Sequence, residues 1–162
     1  MTIEIPQGSR NKYEYDHTAG SIRLDRVLHS SVHYPADYGF LPNTLSNDGD
    51  PLDVLVLVYE PTFPGCIVPV RPIGVLHMRD DKGEDEKILA VPMGDPRFDD
   101  IFDLNDLHGH WLLEIENFFA TYKLLEEKDT DLLGWDNAEA ARRMIEEAHQ
   151  RHDDALSGGT AP

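Results

Sequence analysis

Asp48-Gly49-Asp50-Pro51-Leu52-Asp53-Val54-Leu55-Val56-Leu57-Val58-Tyr59 runs from an acidic turn straight into an apolar, largely β-branched segment. Gly49 permits a tight bend, and Pro51 fixes its own φ while pushing Asp50 into extended backbone, so the turn is not helical. From Asp53 onward the pattern reads as a buried strand, which sets the acids at the mouth of a rigid element. Three carboxylates within six residues repel one another unless something positive stands between them. The turn is therefore either solvated surface, since Asp and Gly are common turn formers, or a site for a hard divalent cation. Its spacing departs from the calcium-loop pattern.

Upstream, Ile3-Glu4-Ile5, Asn11–Asp16 and Ser21–Val27 alternate as short strands around a turn at Ala19-Gly20, which gives an opening β-meander. Lys12 and Glu14 share one face of it, as a surface ion pair or as site residues. Between Leu28 and Leu45 the periodicity breaks into an aromatic-rich loop with Tyr34-Pro35 and Tyr38-Gly39-Phe40. Downstream, Ile67–Val70 and Ile73–Leu76 read as strand, and Lys87–Val91 pairs back across the acidic hairpin Asp80-Asp81-Lys82-Gly83-Glu84-Asp85. By composition that hairpin is a solvated tip, yet it puts a second acid cluster beside a β-core that already ends in one.

Beyond Asp95-Pro96 the period becomes helical. Trp111, Ile115, Phe118, Tyr122 and Leu125 mark an amphipathic helix over about Gly109–Glu126, and a second is capped near Asn137 and runs to about His152. Tyr122 lies on the apolar stripe, and Lys123 suits the helix C-terminus. The Ser-Gly-Gly-Thr tail, about 154–162, is expected to be disordered. Strands first and helices last give one α+β domain over 1–162, whose strands can close as a small barrel with the two helices packed on it.

The chain has 162 residues, 40% of them hydrophobic, with no apolar run long enough to span a membrane. Its N-terminus lacks a signal-peptide pattern and its only cysteine is Cys66, so a cytoplasmic location is expected. With 31 acidic against 14 basic residues the formal charge is −17, which argues against direct binding of nucleic acid. Phosphates remain accessible to such a chain where divalent metals stand between carboxylate and substrate. His108 with His110, and His149 with His152, read as surface residues, since no third His or Cys completes a zinc set. A Gly-rich phosphate loop and a Gly-x-Ser-x-Gly elbow are both missing.

The acidic turn resembles the signature of the family I soluble inorganic pyrophosphatases of bacterial type. The resemblance continues in order through Ile3–Pro6, Asn11–Glu14, Leu24–Arg26, Tyr34–Gly39, Arg71–Gly74, Gly83–Lys87, Phe118–Lys123 and Gly134-Trp135. It implies a five-stranded, OB-like closed barrel and a cytoplasmic, Mg²⁺-dependent hydrolase. The implied reaction is direct attack of a metal-activated water on pyrophosphate, giving two orthophosphates. Asp50 would be the general base. Asp48, Asp53 and Asp85 would surround one Mg²⁺, with Asp53 reaching a second, Asp80 and Asp85 holding a further one, and Glu14 near another. Glu4 would stand in the outer shell. Lys12, Arg26, Tyr38, Lys87, Tyr122 and Lys123 would hold the phosphates, and Tyr34 would line the site. Bacterial relatives are typically homohexamers.

These roles fit the chemistry, because hydrolysis of a phosphoanhydride needs a nucleophilic water and neutralisation of both attacked and leaving groups. The seven acids in this set outnumber Lys12, Arg26, Lys87 and Lys123 by three. Pyrophosphate adds about three or four negative charges, so about three or four Mg²⁺ balance the site, with Mn²⁺ a possible substitute. Where many relatives carry a basic segment after the first helix, this chain has Glu126–Leu133, and Asn117 and Thr121 stand where some carry His. Two other functions share the pattern: an OB-like module that binds metal or phosphate without turnover, and a hydrolase of other phosphoanhydrides.

Overall fold

The chain after the acidic turn does form a strand, and the rest of the molecule is arranged on its two sides. The computed structural model describes residues 1–80 and 83–158. In chain order the elements are β1 (Thr2–Ile5), β2 (Asn11–Asp16), β3 (Ser21–Val27), β4 (Asp37–Phe40), β5 (Asp53–Val56), β6 (Val70–Asp80), β7 (Gly83–Pro92), α1 (His110–Thr121), β8 (Asp131–Asn137) and α2 (Ala138–Gly158). Six strands form one sheet in the order β1-β4-β5-β7-β6-β8, and β2 and β3 pair separately as a hairpin. All pairings are antiparallel except β5 with β7.

Side-chain alternation along β5 and β7 divides the interior into two cores. Leu55, Leu57, Leu89 and Val91 pack with Ile115, Phe118 and Phe119 of α1. Val54, Val56, Ile88 and Ala90 face the other way, against Ala141 and Ala148 of α2. Asp53 and Lys87 share the parity of the α1 side, so the charged cavity described below opens on that face.

Bulges change which face a strand presents, since each adds a residue without a partner. In β1 the register steps from Ile3↔Gly39 to Ile5↔Tyr38, which leaves Glu4 as the extra residue. Ile3 consequently belongs to the α2 core and Ile5 to the α1 core. In β6 Ile73 is the extra residue, and Val75 and Leu76 then face opposite cores. Gly39 admits no side chain, because a Cβ there would stand 1.9 Å from the Thr2 carbonyl oxygen.

The α+β class holds, with two helices against the sheet, but the expected closed barrel does not. No hydrogen-bonded pairing joins the edge strands β1 and β8 among the described residues. The outer edge of β1 is already taken, by backbone hydrogen bonds between Ile3 and the Gly65-Cys66 segment at 2.7 and 2.9 Å. β4 lies inside the stretch expected as an ordered, aromatic-rich loop, its Tyr38 and Phe40 being strand residues. β5 stops at Val56, although Leu57 and Val58 stay buried. β8 was not foreseen, and it sits where the family's basic segment is replaced. α1 ends at Thr121 and the chain tightens into a 3-10 turn over Leu124–Glu126, while α2 continues past His152 to Gly158. The Asn137 cap is present, its Oδ1 accepting from Ala140 N at 3.0 Å. Asp81, Lys82 and the last four tail residues lie outside the described residues. Among the described residues no helix is long and apolar enough to cross a membrane.

Asp37 fastens the loops around this frame. Fully buried, it accepts from Gln7 N at 2.7 Å, Thr62 N at 3.0 Å and Thr62 Oγ1 at 2.6 Å. Three donors satisfy a carboxylate that would otherwise be costly to bury.

Candidate active site

The acidic turn is built as its sequence requires. Gly49 has φ +93°, in the left-handed region that favours glycine, and Asp48 Oδ1 accepts from Asp50 N at 3.0 Å. The root of the turn is closed by Thr44, whose buried hydroxyl donates to Leu41 O at 2.6 Å and accepts from Leu52 N at 2.9 Å. Asp48 and Asp50 themselves are exposed to solvent.

They open onto a cavity of about 520 Å³. Asp48, Asp50 and Asp53 line it together with Asp80 and Asp85, which stand at the two ends of the hairpin. Lys12, Glu14 and Arg26 enter from β2 and β3, Glu4 from β1, Tyr38 from β4, and Tyr122 and Lys123 from the end of α1. Every site residue read from the sequence lines this cavity except Tyr34. That ring is buried behind the wall, 5.5 Å from the Tyr38 ring and 4.7 Å from Phe118, so it supports Tyr38 from behind.

Carboxylates and ammonium groups alternate through the site. Lys87 lies in register with Asp53 on the parallel pair β5–β7 and donates to Asp53 Oδ2, while reaching Asp85 Oδ1 at 2.8 Å. Tyr38 Oη donates to the same Asp53 oxygen at 2.6 Å. Lys123 Nζ is 2.7 Å from Asp80 Oδ2. Lys12 binds Glu14 and lies 3.4 Å from Asp25 Oδ2, and Glu14 also holds Arg23 at 2.7 Å. Arg26 is held by Asp25 at 3.0 Å and by Glu126, whose two oxygens lie 3.2 and 3.1 Å from Nε.

Burial sets the electrostatics. It pushes the Glu4 carboxyl up to about 7, even though Tyr15 N donates to it at 2.7 Å. It raises Asp85 as well, and with the nearby charges of Asp53 and Asp80 prevails over the opposing pull of Lys87. For Lys87 burial alone would favour loss of the proton, but Asp53 and Asp85 outweigh it and hold the ammonium charged. The Tyr34 and Tyr38 phenols are pushed well above their usual range by burial, so both stay protonated near neutrality.

Asp25, Glu126 and Lys128 also line or brace the cavity and were not foreseen. Asp25 is the extra residue of a bulge, since Lys12 pairs with Arg26 and Tyr13 with Leu24. Asp25 and Arg26 both reach the cavity for that reason, whereas plain alternation would send them to opposite faces. Glu126 has no signal of its own in the sequence; its place depends on the turn after α1.

The carboxylates offer only oxygen as metal donors, and oxygen donors suit Mg²⁺ and Mn²⁺ over softer metals. Among the described residues no three of these acids converge as a ready-made metal cage, and the lysine ammoniums lie between them. The donors fit the metal by chemical type, and Glu14, Asp53, Asp80 and Asp85 each lie against a cation that can give way to it.

The sequence matches the inorganic pyrophosphatase family over residues 1–153. An inorganic pyrophosphatase of Methanosarcina mazei is 56% identical over 152 residues, covering 94% of this chain and 90% of that protein. One from Synechocystis is 56% identical over 147 residues, covering 91% and 87%. Among solved structures, the Thermus thermophilus inorganic pyrophosphatase superposes with a TM-score of 0.92 at 46% identity, covering 94% of this chain and 90% of that one. The Helicobacter pylori enzyme gives 0.92 at 43% identity, covering 94% and 91%. A match that takes in both cores, the acidic turn and the hairpin acids leaves one assignment: this chain belongs to the inorganic pyrophosphatase family.

Proposed function

We propose that the cavity hydrolyses inorganic pyrophosphate to two orthophosphates with Mg²⁺, and that its residues divide the work as follows. Asp48, Asp53, Asp80, Asp85 and Glu14 hold the metal, with Glu4 behind them. Bound there, Mg²⁺ supplies charge neutralisation at the phosphate oxygens and a more acidic water. Lys12, Arg26, Tyr38, Lys87, Tyr122 and Lys123 take the phosphate groups, Arg26 through its planar guanidinium and the lysines as point charges. Asp50, exposed at the rim and in no ion pair among the described residues, accepts the proton of the attacking water. Tyr38, kept protonated by burial, donates a hydrogen bond that orients Asp53 and presents no negative charge of its own.

The observation that carries this reading is the position of Lys87 between Asp53 and Asp85, a cation that can meet phosphate as the acids meet metal. About three or four Mg²⁺ per site with substrate follow from the charge balance, with Mn²⁺ as the substitute. The proposal includes a homo-oligomer, a hexamer as the bacterial resemblance implies, and a cytoplasmic location; the single Cys66, outside any disulfide, suits a reducing compartment.

Phosphate release from pyrophosphate, assayed with and without Mg²⁺, tests the function. Asp50→Asn is expected to lose about a hundredfold or more in kcat, the scale of general base catalysis, while keeping Mg²⁺ affinity. Full activity in that variant refutes the assignment of the base. Retained metal and phosphate binding with no turnover in the unaltered protein would favour a non-catalytic binding module.

A further inference from the structure

The alternation that brings Asp53 and Lys87 into the charged cavity takes their neighbours Val54 and Ile88 to the opposite face of the sheet. There they line a second cavity of about 330 Å³, within the size range of small-molecule sites. Leu41 and Val70 complete an apolar floor, and α2 contributes Ile145 and, at the rim, Arg142. The two cavities are thus back to back, separated by one layer of sheet.

Arg142 has no hydrogen bond or ion pair among the described residues, whereas Arg143 beside it pairs with Glu139 at 3.3 Å. An uncommitted guanidinium at the edge of an apolar hollow matches an anion that carries an apolar body. Glu146, one turn further along the same helix, also lines the hollow and repels a second negative charge. Phosphates are disfavoured on that ground and single carboxylates preferred.

We propose that this rear cavity binds a small monocarboxylate with an aromatic or branched aliphatic body, the body against Val54 and Ile88 and the carboxylate on Arg142. Occupancy is transmitted to the acidic turn. The last turns of α2 hold the root of that segment: Leu45 N donates to Ala148 O at 3.0 Å, His149 Nδ1 to Asn43 O at 2.6 Å, and Arg151 Nε to Leu45 O at 2.8 Å. A ligand wedged under Ile145 displaces the helix that positions Asp48 and Asp50. Neither the site nor its coupling to the turn rests on the function proposed above.

The test follows methyl and backbone amide NMR signals of the full chain during titration with 3-phenylpropionate and with its neutral analogue 3-phenylpropan-1-ol. Saturable shifts of the Val54, Ile88 and Ile145 methyls are expected, with the carboxylate binding at least about fivefold more tightly than the alcohol. Arg142→Met, a change at an exposed position, removes that preference, and Ile145→Trp, which fills the hollow, abolishes binding. Amide signals of Asp48–Asp50 move with the same saturation curve. The site is overturned if the methyls stay still, if the two probes bind equally, or if Arg142→Met leaves the preference intact. Methyl signals that respond to protein concentration and not to probe put a second copy over this face and also overturn it. Still amides at Asp48–Asp50 beside saturating methyls overturn the coupling. A chain that binds the probe but never releases phosphate from pyrophosphate counts against the proposed function alone.

Discussion

Arg26 and Glu126 form an ion pair across the cavity wall, with both oxygens of Glu126 about equally distant from the guanidinium Nε, at 3.2 and 3.1 Å. The acid is nearly enclosed, its side chain 10% exposed, and the arginine is half-buried. A phosphate group that takes Arg26 competes with Glu126 for the same donor. Glu126→Gln keeps the shape and removes the charge. The expected result is about fivefold tighter inhibition by product phosphate, the scale of one half-buried charge contact, with kcat lowered through slower release. Unchanged phosphate inhibition would show that Arg26 does not exchange partners.

Lys87 separates two acids that its removal would leave facing each other in a buried place. Lys87→Met should lower the stability of the metal-free protein by about 3 kcal/mol or more, as breaking a buried pair does. Thermal unfolding with increasing Mg²⁺ should recover more stability in the variant than in the parent, and kcat should fall about a hundredfold. Equal Mg²⁺ responses would argue against Asp53 and Asp85 sharing a metal.

Glu4 makes the metal-free protein sensitive to pH. Its folded-state pKa is about 7 against 4.5 for a free side chain, so the folded state prefers the proton. Its contribution to stability is complete below pH 4.5 and is lost as pH rises through about 7. Glu4→Gln removes that window and still accepts from Tyr15 N. In chelator at pH 8 the variant should be the more stable by roughly 2 kcal/mol, and near pH 4 the two should converge. Parallel stability curves would refute the shift.

Asp37→Asn isolates architecture from chemistry. The amide nitrogen cannot accept, so at least one of the three donors from Gln7 and Thr62 loses its partner, at a cost of about 2 kcal/mol. A lower denaturation midpoint is expected, with the pH profile of kcat unchanged. A shifted profile would mean that the loops reach the reacting groups.

Much of this site could be read along the chain because its residues stand in short motifs with a physical reason for each spacing. Gly49 and Pro51 announce the acidic turn, and the apolar run after it fixes which strand carries Asp53. What escaped is three-dimensional. β4 is four residues long and its Tyr38-Gly39-Phe40 looks like loop chemistry; the pairing of Gly39 against Thr2 makes it strand. β8 alternates poorly because much of it is exposed and Gly134 has φ +110°. Closure of the sheet depends on what covers the edge of β1, and Gly65-Cys66 does so without a strand pattern of its own. Plain alternation sends the neighbours Asp25 and Arg26 to opposite faces, and only the pairing with β2 reveals the bulge that brings both to the cavity.

Glu4 and Asp25, the unpaired residues of two bulges, give the chain a property that no single side chain has. In β1 and β3 the number of residues is itself a functional quantity. Removing either residue would straighten its strand, and the neighbours would then follow plain alternation. A deletion of one codon at these points therefore acts as a shift of phase in space. A substitution damages one contact, but such a deletion reassigns the outward and inward sides of a whole strand.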